Sequence, residues 1–503
     1  MSTVIKEQDK LPQQLDRFHA LVVPCPLQGH INPMLLFSKA LVSRHGFTIT
    51  FVTNRNMFIH IRQRHPELAA YENLHLQWVE DGLPPDFYVN IDSQWPQFLQ
   101  ACINMQAPLK VLMGRLNRSE TALPPVSCVI YGSFFPWAYF AARELRIPAV
   151  FFWTQSLAVF SIYYHRHLLV KNGFFPYKRI SPDATEEDCD LISYIPGVSP
   201  LPYSSFPGFF HVDGPSHPAF QLIEQQFATV TECKAVIFNS FYELEKETFH
   251  ALQTEHLNTF VVGPVLPSLK YFNNIIQDEE NLMKGAGISN ADSVSENEGF
   301  ECLRWLDKQE KQSVLYISFG TLIDPSVDDV EAIALALKAA KQPFLWVLRQ
   351  KQSKSDLSEI LGNIFLEERW DHGLIVAWAP QLKVLGHQAV GAFLTHCGWN
   401  STLESLSTGV PMIPFPDKTD QPTNCNYVVD RWKVGIALKR NSNRKLEPSQ
   451  VEAVVHKVLW EEDGQEMRSR ACKLQHAARN ALEEDCGLSV LDIKKFVQAV
   501  RGS

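Results

Sequence analysis

The feature that most limits the fold of this chain is its alternation of short apolar runs with helical stretches. Apolar runs this short are typical of strands that are buried on both faces of a parallel sheet. The predicted strands are Phe18–Pro24, Phe47–Thr53, Val126–Tyr131, Ala149–Trp153, Ala235–Asn239, Ser313–Phe319, Phe344–Leu348, Gly373–Ala377 and Val390–Thr395. Because helical patterns separate these runs, the sequence predicts an α/β fold of doubly wound parallel sheets.

A polar stretch divides the predicted strands into two sets. Residues 267–300 are rich in Asn, Asp, Glu, Gly and Ser, which predicts a linker between domains. It separates a Rossmann-like domain at 18–266 from a second one at 301–481, so that two sheets face each other across a crevice. Residues 1–17 form a polar leader, and residues 482–503 end the chain with a helical pattern.

Composition narrows the possible partners and location. Hydrophobic residues make up 45% of the chain and charged residues 20%, as in a globular protein. The formal net charge of -9, without a dense Lys/Arg cluster, argues against a nucleic-acid partner. The N-terminus lacks a signal peptide, and no segment offers about 20 uninterrupted apolar residues, so we expect a cytoplasmic protein without a membrane span. Ten cysteines without a CxxC pair indicate reduced thiols.

One strand-to-helix junction has the chemistry of a diphosphate site. An apolar strand ends at Thr395, a helical pattern begins near Ser401, and the segment HCGWN lies between them. Helix N-termini at the carboxyl ends of parallel strands present unpaired N–H groups to phosphate. Further along, Asp420 and Gln421 offer a carboxylate and an amide, which can orient neighbouring sugar hydroxyls.

This junction is part of a longer motif. The stretch from Trp378 to Gln421 reads WAPQLKVLGHQAVGAFLTHCGWNSTLESLSTGVPMIPFPDKTDQ. It resembles the signature box of plant family 1 glycosyltransferases, which bind uridine-diphosphate (UDP) sugars, and the resemblance extends from Phe18 to the C-terminal helices. It implies a GT-B fold, with the donor in the cleft between the two domains and the final helix packed back on the first domain. It also implies an inverting, metal-independent enzyme of plant secondary metabolism, without a cofactor and monomeric, that transfers the sugar to a small lipophilic acceptor.

The resemblance also assigns the residues that bind UDP. Trp378 is expected to stack on uracil, Gln381 to hold uracil or ribose, and Glu404 to accept hydrogen bonds from ribose hydroxyls. Residues of two loops are expected to bind the diphosphate or to lie beside it: Thr321, His396, Trp399, Asn400 and Ser401.

The end of the box concerns the sugar. The resemblance implies that Asp420 and Gln421 bind it, and a terminal Gln at this position indicates glucose rather than galactose. Lys418 departs from the family pattern, which often has an aromatic residue two positions before the Asp. A cation at this position is expected either to alter the choice of sugar or to reach the phosphates.

His30, in the segment PLQGHINP, matches the catalytic base of the family. A hydroxyl acceptor needs a base that works near neutral pH, and His is suited to this. Gln28–His30 are predicted to form a turn before a helix that begins at Asn32–Pro33. The family pairs this His with an Asp, but the matching position is Gly132. The neighbouring Ser133 is a candidate contact for His30, although a hydroxyl adds no charge.

Three explanations of the glycine remain open. In the first explanation the acceptor is a carboxylic acid, which is already ionised at pH 7 and needs no base. Alternatively, His30 works on hydroxyls unaided, or with another carboxylate brought near by the fold. In the third explanation the chain binds a UDP-sugar with weak or lost transferase activity, as a binding or regulatory protein.

Aromatic runs of the first domain are candidates for the acceptor pocket. They are Phe134–Trp137, Phe151–Trp153 and Pro207–Phe210, each of which is also compatible with ordinary core packing. The acceptor itself is not identified by the sequence.

Asp188-Cys189-Asp190 has the Asp-x-Asp form of metal-dependent transferases, but its acidic surroundings indicate a solvated loop, and we expect no metal site.

Overall fold

The computed structural model describes residues 18–84, 87, 94–118, 122–176, 191–267, 269, 271–272, 301–321, 325–348, 355–365 and 372–502. The predicted leader, most of the predicted linker at 267–300 and the Asp188-Cys189-Asp190 motif lie outside these residues. The predicted fold class is confirmed, because the chain forms two separate sheets of parallel strands connected by helices.

The first sheet has seven strands in the order β3-β2-β1-β4-β5-β6-β7, and all neighbouring strands are parallel. In chain order they are β1 His19–Val23, β2 Thr48–Asn54, β3 Leu74–Val79, β4 Val126–Gly132, β5 Ala149–Trp153, β6 Ala235–Phe238 and β7 Thr259–Val261. The helices of this half are α1 Gln28–His45, α2 Arg55–Arg64, α3 Trp95–Asn104, α4 Gln106–Asn117, α5 Pro136–Glu144, α6 Leu157–Tyr164, α7 Arg166–Lys171, α8 Pro218–Ala228 and α9 Tyr242–Thr254. Every residue of β1 and β5 is buried, as expected for inner strands of a parallel sheet.

The second sheet has five parallel strands in the order β10-β9-β8-β11-β12. They are β8 Val314–Ser318, β9 Phe344–Val347, β10 Gly373–Val376, β11 Val390–Thr395 and β12 Met412–Pro414. The helices of this half are α10 Val327–Ala340, α11 Ser355–Phe365, α12 Gln381–Leu385, α13 Trp399–Thr408, α14 Gln421–Asn426, α15 Pro448–Trp460 and α16 Glu462–Ala481. In both sheets the carboxyl ends of the strands lead into the segments that carry the predicted site residues.

The last helix, α17 Leu488–Arg501, packs on the first sheet. The ring of Phe496 contacts those of Phe37 and Phe260, with centroids 6.0 and 5.8 Å apart. The N–H of Val261, on the edge strand β7, donates to Oδ2 of Asp492 at 3.1 Å. An apolar face and an edge strand of the first sheet are therefore covered by the end of the chain.

The predicted turn at Gln28–His30 is wrong, because these residues form the first turn of α1. Pro33 therefore lies inside this helix instead of at its start. A proline has no N–H, so the carbonyl of Gly29, four residues earlier, receives no helical hydrogen bond from it. Nδ2 of Asn400, from the second domain, donates to that carbonyl at 2.8 Å. A side chain of the signature box thus completes the first turn of the helix that carries His30.

Candidate active site

His30 is buried against the loops that follow β4 and β5. It is 9% exposed, and its Nδ1 lies 3.0 Å from Oγ1 of Thr154, the residue directly after β5. The edge of its ring meets Phe134, with centroids 5.8 Å apart. Among the described residues, Nε2 of His30 has no hydrogen-bond partner. Burial lowers the pKa of His30 to about 4, so the imidazole is neutral at pH 7.

The position of the usual aspartate lies at the end of β4, next to α1. A Cβ atom on Gly132 would lie 3.2 Å from Sδ of Met34, which is one helical turn after His30. Ser133 does not replace the aspartate, since its buried Oγ has no hydrogen-bond partner among the described residues. No carboxylate of the described residues contacts His30, and its hydrogen-bond partner is a threonine that the sequence analysis did not single out.

Three of the predicted UDP-binding residues are joined to one another. Nε2 of Gln381 donates to Oγ of Ser401 at 2.9 Å and also to Oε2 of Glu404. Oε1 of Gln381 accepts from the hydroxyl of Tyr316 at 3.1 Å, so the amide is held from both ends. Burial raises the pKa of Glu404 to about 7. A carboxylate and a hydroxyl are thereby held side by side at the start of α13.

Trp378 lies at the boundary between the two domains. It is half-buried, and the guanidinium of Arg64, at the end of α2 in the first domain, lies 5.4 Å from its ring centroid. A planar cation over an indole face is a favourable contact. One face of the proposed uracil platform is therefore next to a cation of the opposite domain.

The imidazole of His396 is enclosed by two glycine-containing loops. A Cβ atom on Gly320 would lie 2.6 Å from Nε2 of His396, and one on Gly398 would lie 2.5 Å from it. Thr321, half-buried, follows Gly320 directly. Burial lowers the pKa of His396 to about 4, and its buried Nδ1 has no hydrogen-bond partner among the described residues. Only glycine at both positions leaves room for this ring.

Asp420 and Gln421 are buried within their own loop. Oδ2 of Asp420 accepts from Nδ2 of Asn424 at 2.8 Å, and Oε1 of Gln421 accepts from the N–H of Asp417 at 2.9 Å. Burial raises the pKa of Asp420. Nζ of Lys418, the departure from the family pattern, lies 3.6 Å from Oδ2 of Asp417. The orientation of both predicted sugar-binding side chains is thus set by hydrogen bonds to the protein.

The same loop contacts the first domain. The N–H of Gly208 donates to the carbonyl of Thr419 at 2.7 Å, and the hydroxyl of Thr423 donates to the carbonyl of Ser205 at 2.7 Å. A Cβ atom on Gly208 would lie 3.0 Å from the backbone nitrogen of Thr419, so the two chains approach closely at this glycine. The candidate acceptor run Pro207–Phe210 therefore lies beside the proposed sugar site.

Two of the candidate acceptor runs contribute to an aromatic group near His30. The ring of Phe134 contacts those of Phe209 and Trp95, both with centroids 5.8 Å away. Phe134 has a φ of 68°, an unusual value for a bulky residue, and its N–H donates to Oε1 of the buried Gln226. By contrast, Phe151–Trp153 are almost completely buried in β5 and belong to the core. Trp95 and Gln226 carry no local motif that marks them as site residues.

Trp399 lies between the domains and is 3% exposed. Its Nε1 donates to the carbonyl of Asn239, at the end of β6, at 2.7 Å. Trp399→Phe removes this donor from a buried carbonyl, and we expect the free energy of unfolding to fall by about 1–3 kcal/mol. Urea denaturation followed by circular dichroism measures the change.

The matched control is Trp460→Phe, because Trp460 is 50% exposed and its Nε1 donates to Oε1 of Gln342 at 3.3 Å. The control is expected to change stability by less than about 0.5 kcal/mol. If both substitutions lowered the free energy of unfolding equally, the hydrogen bond between Trp399 and Asn239 would contribute no more to stability than an exposed one.

No group of three His, Cys, Asp or Glu side chains among the described residues is arranged to hold a metal ion. None of the helices in this part of the chain combines the length and the apolar character needed to span a bilayer.

Comparison with known proteins agrees with the fold and the box. Residues 282–472 match the family described as "UDP-glucoronosyl and UDP-glucosyl transferase". UDP-glycosyltransferase 85A7 of Arabidopsis thaliana is 33% identical over 96% of each chain, and 7-deoxyloganetin glucosyltransferase of Gardenia jasminoides is 33% identical over 96% of this chain and 98% of that one. The crystal structure of UDP-glucose: anthocyanidin 3-O-glucosyltransferase in complex with UDP superposes with a TM-score of 0.79 at 25% identity, covering 97% of this chain and 99% of that one. The chain is therefore an enzyme of GT-B fold that belongs to the plant family 1 UDP-dependent glycosyltransferases.

Proposed function

We propose that this enzyme transfers glucose from UDP-glucose, with inversion and without a metal ion, to a hydroxyl or carboxyl group of a small lipophilic molecule. The observation that carries the proposal is the hydrogen bond between Asn400 and Gly29. It joins the proposed diphosphate loop to the residue directly before His30, so the proposed base and the proposed leaving group are neighbours.

The chemistry of the loops supports a diphosphate ligand. His396 directly follows β11, and one nitrogen of a neutral imidazole can donate to a phosphate oxygen. Helix α13 begins at Trp399, so the positive end of its dipole lies at the same place. Gln381 holds the carboxyl group of Glu404, which offers an acceptor to the ribose hydroxyls.

The proposed step forms one bond and breaks another at the anomeric carbon. The acceptor oxygen attacks from the face opposite UDP, and the bond to the β-phosphate oxygen breaks with its electron pair going to UDP. The proton of a hydroxyl acceptor passes to Nε2 of His30. A carboxylate acceptor has no proton to lose and bypasses this transfer.

Glucose as the transferred sugar is supported by Gln421 and by the relative that is named for the glucosylation of 7-deoxyloganetin.

The environment of His30 favours an acidic acceptor. A base with a pKa of about 4 draws a proton from a phenol or an alcohol only weakly. The aromatic group around Phe134 suits a flat, lipophilic molecule.

The purified enzyme is expected to form glucose esters of carboxylic acids at least about tenfold faster than glucosides of phenols or aliphatic alcohols of similar size, since only the hydroxyl acceptors depend on a weak base. Product formation with UDP-glucose and a mixed acceptor panel, resolved by liquid chromatography and mass spectrometry, measures this. UDP-galactose is the control donor and is expected to react more slowly.

A second candidate function is favoured by Gly132, because the dyad partner of His30 is missing. In that case the chain binds a UDP-sugar but transfers it poorly. Calorimetric binding of UDP-glucose together with no product from any acceptor would favour this candidate and contradict the first.

A further inference from the structure

The hydrogen bond between His30 and Thr154 has the geometry that the missing aspartate would otherwise provide. It links Nδ1 to Oγ1 at 3.0 Å. Thr154 is 3% exposed, and its hydroxyl has no other partner among the described residues. The described residues offer no hydrogen-bond partner to Nε2, the opposite nitrogen of His30.

The position of Thr154 follows from the order of the strands. The neighbours β1, β4 and β5 end at the same edge of the first sheet. His30 follows β1, Gly132 ends β4 and Thr154 follows β5. The hydrogen bond therefore spans the end of β4, where Gly132 has no side chain.

We infer that Thr154 is the positioning residue of His30: the hydrogen bond between its hydroxyl and Nδ1 holds the plane of the imidazole, so that Nε2 is directed at the acceptor. This inference rests on the proposed role of His30 as the base. Thr154 acts through His30 and is not itself a catalytic residue.

A hydroxyl fulfils this role differently from a carboxylate. A carboxylate only accepts, so it enforces one tautomer and stabilises the imidazolium that forms during proton transfer. A hydroxyl both accepts and donates, so it fixes the ring plane while permitting the Nε2–H tautomer as well. Thr154 thus orients the imidazole without adding a negative charge that would increase its basicity.

The first test is nitrogen NMR of the full chain with ¹⁵N-labelled histidine, in which His30→Gln identifies the signals of His30. Thr154→Val keeps the size of the side chain but removes its hydroxyl, so both ring-nitrogen signals of His30 are expected to shift. Thr154→Ser keeps the hydroxyl and is expected to restore the original tautomer. Thr53→Val is the matched control, since Thr53 is buried near the end of β2 and its hydroxyl has no hydrogen-bond partner in the described part of the chain.

The second test is kinetic. Thr154→Val is expected to lower kcat for phenols by about tenfold, the effect of one lost hydrogen bond, and kcat for carboxylic acids by less than about twofold. KM for UDP-glucose should remain unchanged, and Thr154→Ser should recover most of the loss.

The NMR and kinetic results distinguish a failure of the positioning role of Thr154 from a failure of the proposed glucosyl transfer. Identical His30 signals in Thr154→Val and Thr53→Val overturn the inference, and so does a shifted signal with an unchanged kcat for phenols. If the unaltered enzyme makes no product at all, the proposed function fails and with it the positioning role, while the NMR result still decides whether Thr154 holds the ring.

Discussion

Replacing His30 with alanine is expected to lower kcat/KM for phenols and alcohols by about 10²-fold, the low end of the usual contribution of a general base, because a pKa of about 4 makes His30 a weak one. The same substitution should change kcat/KM for carboxylic acids by less than about tenfold, because an ionised carboxyl group has no proton to transfer. Initial rates with one acceptor of each class, at saturating UDP-glucose, measure the two effects.

His250→Ala is the control for this experiment, since His250 is exposed and its Nε2 bonds only to Tyr242, on the same helix. It should leave both rates unchanged. A loss of equal size for acids and phenols after removal of His30 would mean that the residue positions the substrates or supports the fold, and the assignment as a base would be abandoned.

Gly132→Asp is expected to raise kcat for phenols and alcohols at least about tenfold, with an upper bound of about 10⁴-fold set by the effect of the analogous aspartate in a serine protease. Carboxylic acids should gain less than about twofold. The new Cβ atom would lie 3.2 Å from Sδ of Met34, so this flexible side chain must move by a few tenths of an ångström. Met34→Ala in the same chain gives the carboxylate more room and should preserve or increase the gain.

The pH dependence of kcat/KM provides an independent measurement of the same change. His30 has a pKa of about 4, so for hydroxyl acceptors we expect kcat/KM to fall only as the pH drops through about 4, where the base becomes protonated. A carboxylate at position 132 stabilises the imidazolium and raises this pKa, which moves the acid limb to higher pH. Gly132→Asn has nearly the same shape without the charge and should not move it. If Gly132→Asp and Gly132→Asn increased the rate equally, the charge of the new side chain could not be the cause of the increase.

Much of the fold follows from local sequence. Ala149–Trp153 and Val390–Thr395 were predicted with the bounds that the structure has, because apolar runs buried on both faces have a clear pattern. Leu74–Val79 and Thr259–Val261 escaped prediction because they are edge strands, the first of them with several exposed positions and the second very short. The start of α1 was predicted too late because proline is usually found in the first turn of a helix, whereas Pro33 lies beyond it.

In the candidate site, residues of one contiguous motif were predictable, whereas contacts between distant segments were not. A contiguous motif made Gln381, Ser401 and Glu404 predictable as a group, and the structure brings the three side chains together. Thr154 was not predictable, because its contact with His30 depends on the order of three strands that are distant in sequence. The same holds for Arg64 beside Trp378, since their contact exists only once the two domains face each other.

The position of α17 has a consequence for the way the chain folds during its synthesis. Phe37 and Phe260 of the first domain contact Phe496, which is synthesised after all strands of the second sheet. Domains usually fold as units in the order in which they emerge, but this first domain can close only after the whole second domain has been made. A nascent chain that stops before Leu488 would therefore expose an apolar face and an open strand edge, and so present chaperones with a binding surface that the finished enzyme does not have.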